Sequence, residues 1–309
     1  MGTGFVGQKM DHKPRPWGSR PERITMEIKF TKMQAYGNDY VYVDAIHQTI
    51  ENPNELSKKM SNRHFGIGAD GLVLICPSEK CDFRMRIFNP DGTEAEMCGN
   101  AVRSVGKFVY YHGLTDKTTV KIETLGGEKT ILLTVKDGMV TDIEAAIGEP
   151  IFTPELIPVK TDKEEFFTQP IQVGDKTMIA SSLSWGNPHT LIQVDDLSML
   201  DIEKYGPLVE NHEVFPRRTN VTFVQLVDRS HLKIREWERG TGETIGCGTG
   251  CCTAVVFMHR LGLCDRVVDV EQIGGVLHVE WDAQNVVHMR GPSYVVYEGS
   301  YHPESDRMI

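Results

Sequence analysis

The 309-residue sequence has no surplus of positive charge: 33 Lys and Arg face 43 Asp and Glu, a formal net charge of −10. Phosphate backbones are held by clustered Lys and Arg, so this balance argues against a nucleic-acid partner. It leaves room for a locally positive site that takes a small zwitterion. No apolar run reaches the roughly 18 residues that suggest a membrane span, so no membrane association is expected. The first 25 residues, Met1 to Thr25, lack the apolar core of a secretory signal. They read as a disordered extension, an expression remnant or a misplaced start, with periodic sequence beginning at Met26. Without export, a cytoplasmic protein with reduced cysteines is expected.

A closed set of disulfides is also missing, because seven cysteines is an odd number. Cys76 and Cys81 have no matching second pair, and no His pair stands at finger spacing from Cys247, Cys251 and Cys252. No metal site is therefore expected. Cys76, Cys81 and Cys264 read as small buried hydrophobes, and Cys251, one helical turn past Cys247, as a packing residue. No lysine sits in a context that argues for a Schiff base, so no cofactor is expected.

What is present is a globular composition, 40% hydrophobic and 25% charged, at a length that suits two domains. The chain also repeats itself. Tyr36-Gly37-Asn38 returns as Trp185-Gly186-Asn187, and Glu94-x-x-x-Cys98-Gly99 as Glu243-x-x-x-Cys247-Gly248, both at an offset of 149 residues. His112-Gly113-Leu114-x-Asp116 returns as Leu261-Gly262-Leu263-x-Asp265 at the same offset, and Gly126-Gly127 as Gly274-Gly275 at 148. Four anchors in one order mark a duplication.

Each half carries alternating segments that read as strands, such as 41–43, 83–88 and 222–227. After each key cysteine the period becomes helical: Ala101, Val102, Val105 and Val109, then Ala254, Val255, Met258 and Leu261. Gly113 and Gly262 are placed to stop those helices. The expectation is an α+β fold of two pseudosymmetric halves, each a mostly antiparallel, barrel-like sheet wrapped around a central helix. Residues 1–25 would be the extension, 26–146 the first half and 147–293 the second, with the link near Gly148-Glu149-Pro150. The last strand, within 294–309, would return to the first half.

A helix start presents unpaired N–H groups and the positive end of the helix dipole. It can lower the pKa of a cysteine placed there and hold a carboxylate. Glycine after the cysteine allows close approach of a ligand. Two such starts facing each other would grip one carboxylate and set one sulfur on each face of the adjacent carbon. That arrangement suits inversion of a carbon centre: one thiolate removes the α-proton while the opposite thiol protonates the far face. Taken singly, Cys98 or Cys247 would read as structural; as equivalents in duplicated Glu-x-x-x-Cys-Gly frames, they read as catalytic. Glu94 and Glu243 read equally well as capping or turn residues.

These segments resemble diaminopimelate epimerases. The likeness is carried by Tyr36-Gly37-Asn38-Asp39-Tyr40, Arg63-His64-Phe65-Gly66-Ile67-Gly68-Ala69-Asp70, Phe88-Asn89-Pro90-Asp91-Gly92 and Met97-Cys98-Gly99-Asn100-Ala101. The second half adds Gly186-Asn187-Pro188-His189, Glu238-Arg239-Gly240-Thr241-Gly242-Glu243-Thr244 and Cys247-Gly248-Thr249-Gly250. The likeness runs from about Met26 to Gly299. It implies a cofactor-independent epimerase that interconverts LL- and meso-2,6-diaminopimelate for lysine and peptidoglycan precursors, acting as a homodimer. By the same resemblance Cys98 and Cys247 are the acid/base pair, and Gly99-Asn100 and Gly248-Thr249 hold the α-carboxylate. Asn38, Asn89, Asn187, Asn220, Glu238 and Arg239 line the rest of the pocket, and His189 and Glu238 are the pair that tunes the cysteines. A bidentate Arg239 suits a distal carboxylate, although it could instead be a surface partner of Glu236 or Glu238, and His189 a packed loop residue.

One position departs from that pattern. Some relatives carry a substrate-reaching Gln where this chain has Gly71, so that contact is missing here or made by another group. Three other readings compete. A proline-type racemase would leave Arg239 and the Asn set without a purpose. A redox or metal-binding module would rest on the seven cysteines alone. A non-catalytic binding protein would give no reason to keep both Cys98 and Cys247.

Overall fold

A computed structural model describes residues 27–303. The extension expected over 1–25 and the last residues of the 294–309 segment lie outside the described residues. The first half runs β1 (Ile28–Ala35), β2 (Asn38–Asp44), α1 (Pro53–Ser61), β3 (Leu72–Cys76), β4 (Phe83–Phe88), β5 (Glu94–Ala95), α2 (Gly99–Tyr111), β6 (Thr119–Thr124), β7 (Gly127–Lys136) and β8 (Met139–Gly148). After β9 (Gln169–Val173), the second half runs β10 (Lys176–Ser184), β11 (Pro188–Gln193), α3 (Ile202–Glu210), β12 (Asn220–Asp228), β13 (His231–Glu238), β14 (Gly242–Thr244), α4 (Gly248–Arg260), β15 (Val267–Gln272), β16 (Gly275–Trp281) and β17 (Val287–Arg290). The final strand, β18 (Tyr294–Tyr301), pairs antiparallel with β1.

The duplication read from four short anchors extends to strand register. Val41 pairs with Leu72 between parallel β2 and β3, and Thr190 with Val221 between parallel β11 and β12. Leu72 faces Phe88 across β3 and β4, as Val221 faces Trp237 across β12 and β13. Both comparisons hold the 149-residue offset. Most pairs are antiparallel, as expected, with parallel pairs β2–β3, β4–β6, β11–β12 and β13–β15. The halves are joined by antiparallel pairing of β8 with β17.

Each sheet wraps a helix with little polar surface. Every residue from Gly99 to Gly106 of α2 is buried, as is every residue from Gly248 to Met258 of α4. The two helices end alike. Gly113 and Gly262 take left-handed φ values of 64° and 75°. Leu114 N–H donates to Val109 O at 2.9 Å and Leu263 N–H to Met258 O at 3.0 Å, the six-to-one bond of a Schellman stop. Gly37 shows why glycine is needed at the mouth of the first hairpin. Its φ is +77°, and a Cβ there would lie 2.0 Å from Ile245 Cδ1 of the other half.

Two outer helices were not foreseen. α1 opens with Pro53 in its first turn and buries Leu56 and Met60. The Asp201 side chain caps α3 by accepting the Lys204 N–H at 3.1 Å. Both are nine residues long, too short to stand out by period beside the strands. They close the outer faces of the sheets over separate apolar clusters.

Candidate active site

Cys98 and Cys247 are the N-cap residues of α2 and α4, both with extended backbone. Each carbonyl already accepts the first helical bond, from Val102 N–H at 3.0 Å and Cys251 N–H at 3.1 Å. The glutamates of the repeated frame are neither caps nor simple turn residues. Glu94 takes a two-pronged bond from Arg86 at 2.8 Å on each oxygen, and Glu243 takes one from Arg235 at 2.7 and 3.0 Å. These pairs pin β5 to β4 and β14 to β13, fixing the chain that delivers each cysteine.

The two helix starts meet at a cavity of about 130 Å³. It is lined by Cys98, Cys247, Gly99, Asn100, Gly246, Gly248 and Thr249, with Asn38, Tyr40, Asn89, Asn187 and Glu238 around the sides. A wider cleft of about 740 Å³ shares Asn38, Tyr40, Asn89, Glu238 and Gly246, and adds Asp70, Asp91, Arg218 and Arg239. The expected residues therefore divide. Those suited to a reacting centre surround the inner cavity, and Arg239 belongs to the outer cleft.

Cys98 donates from Sγ to Asn38 Oδ1 at 3.4 Å, and Asn38 Nδ2 donates to Asp70 at 2.9 Å. Gly250 N–H donates to Cys247 Sγ at 3.4 Å, with Thr249 Oγ1 3.5 Å from the same sulfur. The expectation that a helix start lowers the thiol pKa is corrected by burial. Desolvation pushes the Cys98 thiol up despite the N–H groups of Ala101 and Asn100. Cys247 is pushed well above its ordinary value, first by burial and then by the charges of Glu238 and Glu236. The dipole compensates only in part, because removing a thiolate from water is the larger effect. Burial also pushes Glu238 up to about 7, against a hydrogen bond from Thr244 that lowers it; that bond is 2.6 Å long.

Two expected residues do not reach either cavity. His189 is fully buried, with Nδ1 3.5 Å from Glu236 Oε1. Its neighbour is thus Glu236 rather than Glu238: the two glutamates share a face of β13, and His189 meets the one two residues earlier along the strand, away from the cavity that Glu238 lines. Asn220 spends its amide on backbone, donating to Pro188 O at 2.9 Å and accepting from Arg239 N–H at 2.9 Å. It supports Arg239 instead of facing the cavity. The Arg239 side chain forms no ion pair with Glu236 or Glu238; its Nη1 donates to Arg217 O at 3.3 Å.

The substituted position has a steric explanation. A Cβ at Gly71 would lie 2.3 Å from Phe88 O and 2.9 Å from Tyr40 Cε1. The Tyr40 ring fills that space, and Tyr40 lines both cavities. Sequence reasoning passed over Tyr40 although it stands in the quoted Asn38-Asp39-Tyr40 segment. It also assigned no role to Asp70 and Asp91, which stand inside the quoted motifs, and passed over Arg218, which no quoted motif contains.

Comparison with known proteins follows the same geometry. A family model described as diaminopimelate epimerase matches residues 30–153 and 181–296. Proteins named diaminopimelate epimerase from Acetivibrio thermocellus and from Methanococcus maripaludis strain C5 are each 50% identical over 273 residues. The match covers 88% of this chain in both cases, and 98% and 99% of those proteins. A solved structure of a probable proline racemase from Agrobacterium radiobacter K84 superposes with a TM-score of 0.69 at 13% identity, covering 91% of this chain and 94% of that one. At that identity the likeness concerns the fold.

Proposed function

The chain belongs to the diaminopimelate epimerase family, and from that premise we propose that it interconverts LL- and meso-2,6-diaminopimelate by a two-base thiol mechanism without a cofactor. The observation that carries this reading is one small cavity lined by both N-cap cysteines and by the first residues of both helices. The N–H groups of Gly99-Asn100 and Gly248-Thr249 hold the α-carboxylate, and Asn38, Asn89, Asn187 and Glu238 receive the rest of the reacting head. Arg239 takes the distal carboxylate in the wider cleft.

The charge bookkeeping is simple. One cysteine begins as thiolate and takes the α-hydrogen as a proton. The C–H electron pair moves into the carboxylate, which then carries two negative charges. The opposite thiol gives its proton to the other face of the carbon and becomes the thiolate. The centre is inverted, and the enzyme is left with its protonation exchanged between the two sulfurs. The intermediate is stabilised by fixed N–H dipoles in a site of low polarity.

A cytoplasmic homodimer serving lysine and peptidoglycan precursor synthesis belongs to the same reading. The outer strand β18 exposes Tyr294, Val296 and Tyr297, surface that a second copy would cover.

Incubation with LL-diaminopimelate in D₂O, followed by NMR and chiral separation, tests the function. The expected result is meso product with deuterium at one α-carbon and no turnover of proline. Proline turnover without diaminopimelate turnover would favour the racemase reading instead.

A further inference from the structure

Among the described residues Arg103 is the largest fully buried side chain, at 0% exposure, and nothing in the two-base scheme uses it. Its Nη2 donates to Asn100 Oδ1 at 2.7 Å and its Nη1 reaches Met289 Sδ at 3.2 Å, a weak acceptor. Its Nε has no hydrogen-bond partner. The guanidinium lies over the Tyr36 ring, 5.6 Å from the centroid. Among the described residues no Asp or Glu pairs with it. A cation taken out of water without a counter-charge is strongly destabilising, so a fold that keeps one has a use for the charge.

Its location indicates that use. Arg103 lies about one turn into α2, beneath the helix start that begins at Cys98. Nη1 would be 3.5 Å from a Cβ on Gly248, the first residue of α4. Asn100, held by Arg103, donates from Nδ2 to Gly246 O at 3.2 Å, just before Cys247. One guanidinium thus stands close to the first residue of α4 and, through Asn100, is tied to the start of α2 and to the chain just before Cys247, without itself lining the cavity. The corresponding residue of the second half, at the 149-residue offset, is the neutral Cys252.

We propose that Arg103 is a positioning residue that supplies the buried counter-charge of the carboxylate site: it stabilises from beneath the second negative charge that forms on the substrate carboxylate when the α-proton leaves, and keeps the two helix starts in register through Asn100. This rests on the epimerase reading. In that step the total charge is unchanged, but one negative charge moves from sulfur to the carboxylate held at the two helix starts, where a fixed cation lowers its energy. Burial pushes the Arg103 pKa down, and the charges of Tyr36 and then Cys98 oppose that, so the cation and the Cys98 thiolate favour one another.

The test compares Arg103→Met, Arg103→Gln and Arg103→Lys in the full chain. The readouts are Tm, kcat and KM for diaminopimelate, and the pH midpoint of Cys98 alkylation by iodoacetamide, mapped by mass spectrometry. Both neutral variants are expected to fold with a Tm at or above wild type, since an unpaired buried charge is removed. Their kcat should fall about 100-fold or more, with KM moving less. Their Cys98 midpoint should rise by about one pH unit, while Arg103→Lys keeps the wild-type midpoint. Unchanged kcat and midpoint in the neutral variants would overturn the proposal. So would a loss of Tm and activity with the midpoint unmoved, or neutral variants that fail to fold while Arg103→Lys folds, since either makes the residue a requirement of the fold and not of the reaction. Alkylation needs no substrate, so a wild-type protein that leaves diaminopimelate unchanged would count against the epimerase reading separately from the shift at Cys98.

Discussion

The two halves share a backbone and differ in the chemistry hung on it. Strand registers and both helix ends agree at the same offset. Each half holds its cysteine-bearing segment with the same Arg–Glu pair, Arg86–Glu94 and Arg235–Glu243. Around the cavity the equivalence breaks. Asn89 corresponds to Glu238, Ile87 to Glu236, Tyr40 to His189, Gly71 to Asn220 and Arg103 to Cys252. Among these equivalent positions the second half carries the carboxylates Glu236 and Glu238 and the first half the cation Arg103. The difference teaches that the duplication explains why two sulfurs face one cavity, while the substitutions explain why the sulfurs are unequal. Burial pushes both thiols up, and Cys247 has two carboxylates, Glu238 and Glu236, adding to it where Cys98 has Glu238.

The sharpest way to break the equivalence is to remove one sulfur. Cys98→Ala and Cys247→Ala are each expected to cut net epimerisation by several orders of magnitude, as when one member of a catalytic unit is lost. Steady-state assays in both directions measure this, and full activity in either variant contradicts a two-base scheme.

The next largest effect should come from a group with no counterpart in the other half. Arg239 corresponds to Pro90. Arg239→Lys loses the planar fork, and kcat/KM for diaminopimelate should drop by about 2–5 kcal/mol. An unchanged value would place Arg239 outside the binding cleft.

A third test concerns acidity. Glu238, pushed up to about 7 by burial, disfavours both neighbouring thiolates once it is charged, and Glu236 adds a second carboxylate beside Cys247. Alkylation should therefore reach Cys98 at lower pH than Cys247. Glu238→Gln removes the charge that acts on both, so both midpoints should move down, with Glu236 still holding Cys247 above Cys98. Equal midpoints in the wild type would remove the asymmetry.

The smallest effect should be the most symmetrical. Glu94→Gln and Glu243→Gln each weaken a partly exposed two-pronged ion pair, and each should cost about 1 kcal/mol in chemical denaturation. Strongly unequal losses would show that the two frames are not structural equivalents.

Much of this molecule was legible in the sequence because its signals are local or repeated. Cys98-Gly99 and Cys247-Gly248 before helical periods, and Gly113 and Gly262 after them, mark both helices at start and stop. What was not legible depends on long-range packing. The net rise of the thiol pKa values follows from burial, which no local motif reports. The partner of His189 depends on where along β13 it packs, because Glu236 and Glu238 share a face of that strand. The apolar run around Arg103, from Ala101 to Val105, carried a warning in its single charge, but only the fold shows that it lies beneath both helix starts.

The central claim is that each cysteine serves one face of the same carbon. It is tested most directly by α-hydrogen exchange in D₂O with Cys98→Ala and Cys247→Ala, each given LL- and meso-diaminopimelate in turn and monitored by NMR. Each variant retains one base, so each should wash deuterium without inversion into the reacting centre of one isomer only, and the two variants should choose opposite isomers. Exchange of both isomers by one variant, or the same preference in both, would contradict the opposed arrangement of Cys98 and Cys247.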